Sequence, residues 1–486
     1  MRNSIFPVLG VLGFAVALFS LAFLVPLTYA FLTGEPTVNA FATGFGVTFL
    51  LGVAMHVLTR SFRRELQPRD GFLLVSVVWS GMPAFATIPM VLFFKDLTVT
   101  DAYFEMVSAI TTTGATVLSG LDHMPNSINI WRHLLSWLGG MGILVLAVAI
   151  LPLLGVGGSQ VFKAETPGPM KDSKLTPRIT ETAKSLYLVY LSISAACVIS
   201  YKLAGMDWLD SFLYAGTTVS LSGIAAHDSS YVYFDSAAIE MVAVTFMMIA
   251  AINFAIHFLA WRGKSFRPYV NCPEAKWFFL LIFLSVGLIT LYLMAHQVYT
   301  SASEAFRFAL FNTVSVATTT GYANADYTQW PLFVPLWLIF LSMFATAAGS
   351  TGGGIKMLRA VILFKHAMGE LSRILHPRAI NPVRIRGTVV SSQVIFGVLA
   401  FMLMYGMSVI SITMVLVFTG MDPVSAVSIA MAMINNLGPA LGEFGPVDNY
   451  AALGDFQVWL CSLAMLLGRL EMFTILVLFT PAFWRK

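Results

Sequence analysis

The chain has little charge, almost no cysteine and no metal-spaced histidines, and each shortage removes a class of function. Only 11% of its 486 residues are charged while 58% are hydrophobic, whereas soluble domains run nearer a quarter charged. A chain this apolar cannot cover a water-facing surface with polar groups, so lipid is the solvent for most of it. Three cysteines, Cys197, Cys272 and Cys461, supply neither a disulfide framework nor a zinc site and read as packing residues. The eight histidines are scattered without paired metal spacing. No soluble stretch exceeds a loop, and no span pairs a nucleophile with a base, so neither an enzyme nor a nucleic-acid partner is expected.

What is present is a succession of apolar runs of about 20 residues, long enough to cross roughly 30 Å of hydrocarbon as helices. The first, residues 5–32, is too long for a signal-peptide core and reads as a retained span. Most of the 28 basic residues fall in 60–69, 163–184, 262–276 and 356–386, or at the two ends. The positive-inside rule places those stretches and both termini in the cytoplasm, across ten crossings. The alternate connections hold few bases (Lys95, Arg132, Lys202, Arg307) and many acids, from Glu35 and Asp96 to Glu443, Asp448 and Asp455. Those acids either serve loop solubility or concentrate cations at an outer mouth.

After two N-terminal spans the chain repeats one unit four times: a span, a short amphipathic segment, a polar glycine turn, and a second span. The turns centre on Gly114, Gly223, Gly321 and Gly438. Counting back from each glycine, small polar residues recur at the third position (Thr111, Ser220, Thr318, Asn435) and small residues at the twelfth (Ala102, Ser211, Ala309, Ala426). The thirteenth is a helix-capping type in three copies, Asp101, Asp210 and Ser425, with Phe308 the exception. Ten helical residues span about 15 Å, so each segment can enter the membrane as a half-helix, turn, and leave. These boundaries divide the chain into a two-span unit (1–70) and repeats at 71–160, 161–265, 266–385 and 386–486, all within an all-α integral membrane fold.

The chemistry of such a turn is specific. A half-helix capped on the outside points its partly negative end at the membrane centre, where it favours a cation. Backbone that leaves the helix there must line a cavity, because lipid cannot satisfy it, and its carbonyls can replace an ion's hydration shell. The candidate filter residues are Thr111, Thr112, Thr113 and Gly114; Ser220, Leu221, Ser222 and Gly223; Thr318, Thr319, Thr320 and Gly321; and Asn435, Asn436, Leu437 and Gly438. None is a carboxylate, so a monovalent cation is expected rather than calcium.

Two further features interrupt spans. Gly349, Ser350, Thr351, Gly352, Gly353 and Gly354 break what is otherwise one long helix from about 331 to 367, since each glycine costs roughly 1 kcal/mol there. The run is not a phosphate loop, because Gly354 leads into Ile355-Lys356-Met357 and not Lys-Ser/Thr. It is either a hinge between half-helices or a loop obstructing a pathway. Arg469 is a charge inside the last span, which calls for a cavity or a partner. It either pairs with Glu471 or with helix-end carbonyls, or lies below the filter as a barrier that holds the glycine loop.

These motifs closely resemble the TrkH/TrkG/KtrB superfamily of potassium-uptake proteins, the TrkH branch in particular. The carrying stretches are SAITTTGATVLSG (108–120), TTVSLSGIAAHD (217–228), SVATTTGYANADY (315–327), INNLGPALGEFGP (434–446), AAGSTGGGIKMLR (347–359) and LLGRLEMFTILVLFTPAFW (466–484). The resemblance covers essentially the whole chain. It implies pseudo-fourfold packing around a central pore, potassium as the ion carried and bound, and a homodimer in the bacterial cytoplasmic membrane. It also implies a cytoplasmic TrkA-like ring, which binds nucleotide and to which 163–184 and 356–386 are candidate docking surfaces, and a gate made by the glycine loop with Arg469. The four strands are unequal, with Asn-Asn-Leu-Gly in the last, which implies weaker discrimination against rubidium. The alternative is a potassium symporter coupled to protons or sodium, but such coupling usually needs an ionisable midplane residue, and the filter segments have none.

Overall fold

A computed structural model describes residues 2–62, 64, 66–149, 175–379, 381–385 and 387–485. The proposed docking stretch 163–184 therefore lies outside the described residues up to 174. The described chain is helical apart from one two-stranded hairpin, Arg384–Ile385 with Thr388–Val389.

Six helices are long and apolar enough to cross a bilayer: α1 (Ile5–Thr33), α2 (Val38–Phe62), α3 (Arg69–Phe93), one at Glu181–Ala204, one at Pro273–Ala295 and one at Ser392–Phe418. Two bent pairs raise the number to eight, Ala237–Ala250 with Phe254–Gly263 at 93° and Asp455–Arg469 with Phe473–Phe479 at 110°. The other two segments expected to cross are the helix Asn126–Ala149 and the interrupted pair Phe333–Ser342 and Met357–Leu375. The break in that pair spans 343–356, wider than the six residues marked by glycine content. Mid-span breaks expose backbone groups that only protein or a cavity can satisfy.

In chain order after α3, we label α4 (Val99–Ile110), α5 (Asn126–Ala149), α6 (Leu175–Ala204), α7 (Trp208–Ser220), α8 (Ala237–Ala250), α9 (Phe254–Gly263), α10 (Pro273–Ala295), α11 (Ala302–Ala317), α12 (Phe333–Ser342), α13 (Met357–Leu375), α14 (Ser392–Phe418), α15 (Pro423–Asn435), α16 (Asp455–Arg469) and α17 (Phe473–Phe479). The short helices α4, α7, α11 and α15 are the four amphipathic segments. Each ends within one residue of a turn leading to its glycine.

Their caps differ from the sequence expectation. Asp101, Asp210 and Ser425 are not caps but the third residues of their helices, whose N–H groups donate to the side chains three residues earlier, Thr98, Asp207 and Asp422. An N-cap side chain reaches forward to the third helical N–H, so the capping register lies three residues upstream. The acids at 101 and 210 still complement the positive helix start. The third segment, α11, has Ser301 at its N-cap without a side-chain cap bond.

The two arginines assigned to outer connections are instead part of helices. Arg132 of α5 is 1% exposed and its Nε donates to Glu105 of α4 at 2.7 Å, with Glu105 fully buried. Arg307 of α11 donates through Nε to Glu240 of α8, also at 2.7 Å. Each pair ties a short helix to a neighbouring span, where a lone buried charge could not be tolerated. The three cysteines are free and buried.

Candidate functional site

The four turns share an unusual backbone. The glycines Gly114, Gly223, Gly321 and Gly438 have φ of 85°, 68°, 88° and 92°. Two residues before each, Thr112, Leu221, Thr319 and Asn436 are also left-handed, at 55°, 55°, 59° and 54°. Left-handed backbone costs a non-glycine residue roughly 1–2 kcal/mol, and β-branched Thr112 and Thr319 are the least suited to it. Such strain repeated in register four times is a built feature. Alternating handedness along a short strand turns successive carbonyls toward one side.

The strands close on each other in cyclic order. A side chain at Gly114 would overlap the Ser222 carbonyl oxygen, one at Gly223 that of Thr320, and one at Gly321 that of Leu437; one at Gly438 would crowd that of Thr113. Each glycine thus abuts the residue just before the glycine of the next repeat, and the fourth returns to the first. The ring contacts are thus made by the four glycines and the residue before each. The three preceding each glycine are at most 1% exposed.

Side chains differ between repeats. Repeats one and three are near copies: Thr111 Oγ1 and Thr318 Oγ1 each donate to a helix carbonyl at 2.7 Å, and lie 2.8 and 2.7 Å from Thr113 and Thr320. In the second, Ser222 donates to Ser136 at 2.9 Å. In the fourth, Asn435 is bonded to Tyr405 and Ser342, and Asn436 Nδ2 donates to Thr113 Oγ1 at 3.0 Å. Most of these side-chain groups are bonded within the protein, whereas Thr112 Oγ1 and Asn436 Oδ1 have no partner among the described residues, so the ring offers its backbone carbonyls together with these two oxygens.

Directly beside the C-terminal ends of the short helices runs the glycine loop. Thr351 Oγ1 donates to the Val219 carbonyl at 2.9 Å, and Gly353 N–H donates to Thr319 Oγ1 at 2.8 Å. A methyl group on Gly353 would overlap the Asn435 carbonyl. The loop therefore reaches repeats two, three and four at once. Its carbonyls meet cations: Arg469 Nη1 donates to Thr351 O at 2.8 Å, and the Lys356 ammonium sits on Gly352 O. Arg469 is 3% exposed. Among the described residues it pairs with no carboxylate, because Glu471 is taken by Arg359 at 2.5 Å. The alternative Arg469–Glu471 pair is thus not formed.

Several elements had no clear sequence signal. Gly139 and Gly468 let α5 and α16 close onto the Ile110 and Ile434 carbonyls, where any side chain would overlap. The Glu105 carboxylate accepts from Thr116 and from Val117 N–H, and Arg132 donates to the Ala225 carbonyl, so this pair braces the segments leaving the first two turns. An acid nine residues before Gly114, inside a helix meant to be buried, was the available clue.

In the segment that follows the second turn, His227 lies between Asp122 (Nδ1, 2.5 Å) and Asp210 (Nε2, 3.3 Å) and stacks on Tyr233 at 3.5 Å between ring centres. Burial opposes its charge, yet the hydrogen bonds and charges of Asp210 and Asp122 prevail and raise its pKa above the ordinary 6.5. Burial likewise opposes the Asp122 carboxylate, and its bonds to His227 and Asp228 bring its pKa below 3.8. A raised imidazole stabilises the fold fully below pH 6.5 and loses that contribution as pH rises through the higher folded value. The melting temperature of the native chain should exceed that of His227→Gln clearly at pH 6 and hardly at pH 9. A gap that does not narrow toward alkaline pH would contradict this assignment.

Comparison with known proteins places this geometry. Residues 37–486 match the family model described as TrkH, cation transport protein. The chain is 42% identical over 484 residues to the Trk system potassium uptake protein TrkH of Halomonas elongata, covering 99% of each. It is 40% identical over 477 residues to TrkH of Escherichia coli K12, 98% of each, and 36% identical over 475 residues to TrkG of the same strain, covering 98% of this chain and 97% of TrkG. The crystal structure of the potassium transporter TrkH from Vibrio parahaemolyticus superposes with a TM-score of 0.91 at 40% identity, covering the whole of both chains.

Proposed function

The chain belongs to the TrkH family of cation transport proteins, and from that premise we propose that it takes up potassium by channel-like conduction through the ring of four glycine turns. It is a multi-pass membrane transport protein and not an enzyme. The observation that carries the reading is the cyclic contact of four strands, each left-handed at its glycine and two residues earlier. Four such strands offer stacked carbonyls to a dehydrated ion, held in the negative ends of four half-helices. Uncharged oxygens suit a monovalent ion.

In this reading residues 71–160, 161–265, 266–385 and 386–486 form a pseudo-fourfold pore, with residues 1–70 as a peripheral pair of spans. The loop 349–354 and Arg469 form the gate. Two cations on the loop carbonyls place positive charge beneath the ring, which raises the barrier to potassium while the loop stays in place. A homodimer in the bacterial cytoplasmic membrane, with both termini inside, and a TrkA-like nucleotide-binding ring on the basic cytoplasmic stretches complete the assembly. Within α13, exposed Arg373 pairs among the described residues only with Glu370 three positions before it, which supports that face as one such a partner could use.

The test is the current itself. Purified protein in planar bilayers should give a reversal potential that follows the potassium gradient alone, at any imposed proton or sodium gradient. A reversal potential that moves with either of those gradients would replace the channel reading with a symporter.

A further inference from the structure

The four glycine carbonyls of the ring are not equivalent. Tyr450, from the segment that follows the fourth turn, donates its hydroxyl to the Gly438 carbonyl at 2.6 Å. Among the described residues no donor reaches the carbonyls of Gly114, Gly223 or Gly321. Burial follows the same division: Gly438 is buried, whereas the other three are partly exposed.

Tyr450 is itself held from several sides. Its N–H donates to the Thr116 carbonyl of the first repeat at 2.8 Å. Its ring stacks on Phe444 at 5.3 Å and lies 5.8 Å from Phe104, and the residue is 3% exposed. A phenol buried away from water remains protonated and donates. A carbonyl that accepts a short hydrogen bond from a fixed donor is drawn toward it and has less negative charge left for a cation.

We infer that the Tyr450 hydroxyl competes with the permeating ion for the Gly438 carbonyl, so that Tyr450 sets the affinity of the potassium ring by weakening one quarter of it. The inference rests on the reading of the ring as a potassium filter. Its functional sense is that a ring of four equal carbonyls would hold potassium tightly and release it slowly, whereas conduction needs sites that an ion can leave. One strand made a poorer ligand loosens the site without altering its size.

The experiment uses the full chain in nanodiscs and reads the potassium concentration that half-saturates thermal stabilisation, with choline replacing potassium at constant ionic strength. Tyr450→Phe keeps the ring and its stacking and removes only the hydroxyl. It should lower the half-saturating potassium concentration by about threefold to tenfold, the range set by the net worth of one hydrogen bond. Replacing Tyr450 with 3-fluorotyrosine, a stronger donor of nearly the same size, should shift it the opposite way. A bond that merely braced the loop would make the Phe variant bind potassium more weakly, and that result overturns the inference. Unchanged affinity in both variants, or a shift of both in one direction, overturns it too. If the Phe variant does not fold, the fluorinated chain decides alone, since it retains the hydroxyl and the packing. Equal stabilisation of the native chain by potassium and choline would instead refute the filter reading itself.

Discussion

Gly114→Ser is expected to abolish potassium uptake, lowering flux by about 100-fold or more while leaving the protein in the membrane. The glycine has φ of 85°, and forcing an L residue there costs roughly 1–2 kcal/mol. The larger effect is steric: the new Cβ would overlap the Ser222 carbonyl oxygen, which is backbone of the adjoining strand and cannot swing aside. Relief requires one strand to shift and so misplace carbonyls that a dehydrated ion must reach together. A barrier raised by about 2.7 kcal/mol already accounts for a 100-fold loss. The neighbouring Glu105–Arg132 brace and the buried short helix keep the rest of the repeat in place. The measurement is potassium-dependent growth of an uptake-deficient cell, with the amount of protein checked by blotting. Growth like that of the native chain would exclude Gly114 from the pathway.

Arg469→Ala is expected to have the opposite effect, raising flux in the absence of any cytoplasmic partner by about tenfold. The guanidinium is 3% exposed and donates to Thr351 O and, at 3.4 Å, to Gly139 O, so it links the glycine loop to α5. Hydrogen bonds from a charged donor contribute about 1.5–3 kcal/mol each, and a weak long one less. Truncation removes that link and also a positive charge from below the ring. Both changes favour passage, the first by releasing the loop and the second by lowering the electrostatic barrier. Arg469→Lys keeps the charge but cannot span the two carbonyls from one planar group, so it should fall between the two. Rubidium influx into proteoliposomes holding the chain alone measures all three. Influx of Arg469→Ala at or below the native rate would remove Arg469 from the gate.

The repeats were legible because their signal is local. A glycine forced into left-handed backbone and a half-helix of limited length leave marks within a dozen residues of each other. The caps were misplaced by three positions because Asp101, Asp210 and Ser425 are themselves good capping types, and only the hydrogen-bond direction separates them from Thr98, Asp207 and Asp422. Arg132 and Arg307 read as loop charges because a window of hydropathy cannot show that Glu105 and Glu240 wait opposite them. The partner of Arg469 was open for the same reason. Glu471 stands two residues away in sequence, yet it serves Arg359, 112 positions distant.

Composition and spacing alone determined that this is a helical membrane protein with four copies of one glycine turn, since solvent class and backbone freedom are set by residue type and near neighbours. The closed order of the four strands, the seat of the glycine loop against three of them, the carbonyls that hold Arg469, and the hydroxyl of Tyr450 on Gly438 were decided only by tertiary structure. Each joins groups tens to hundreds of residues apart or turns on which way a carbonyl points. Hydrogen bonds of that kind depend on distance and angle in space, and neither is written in the order of the residues.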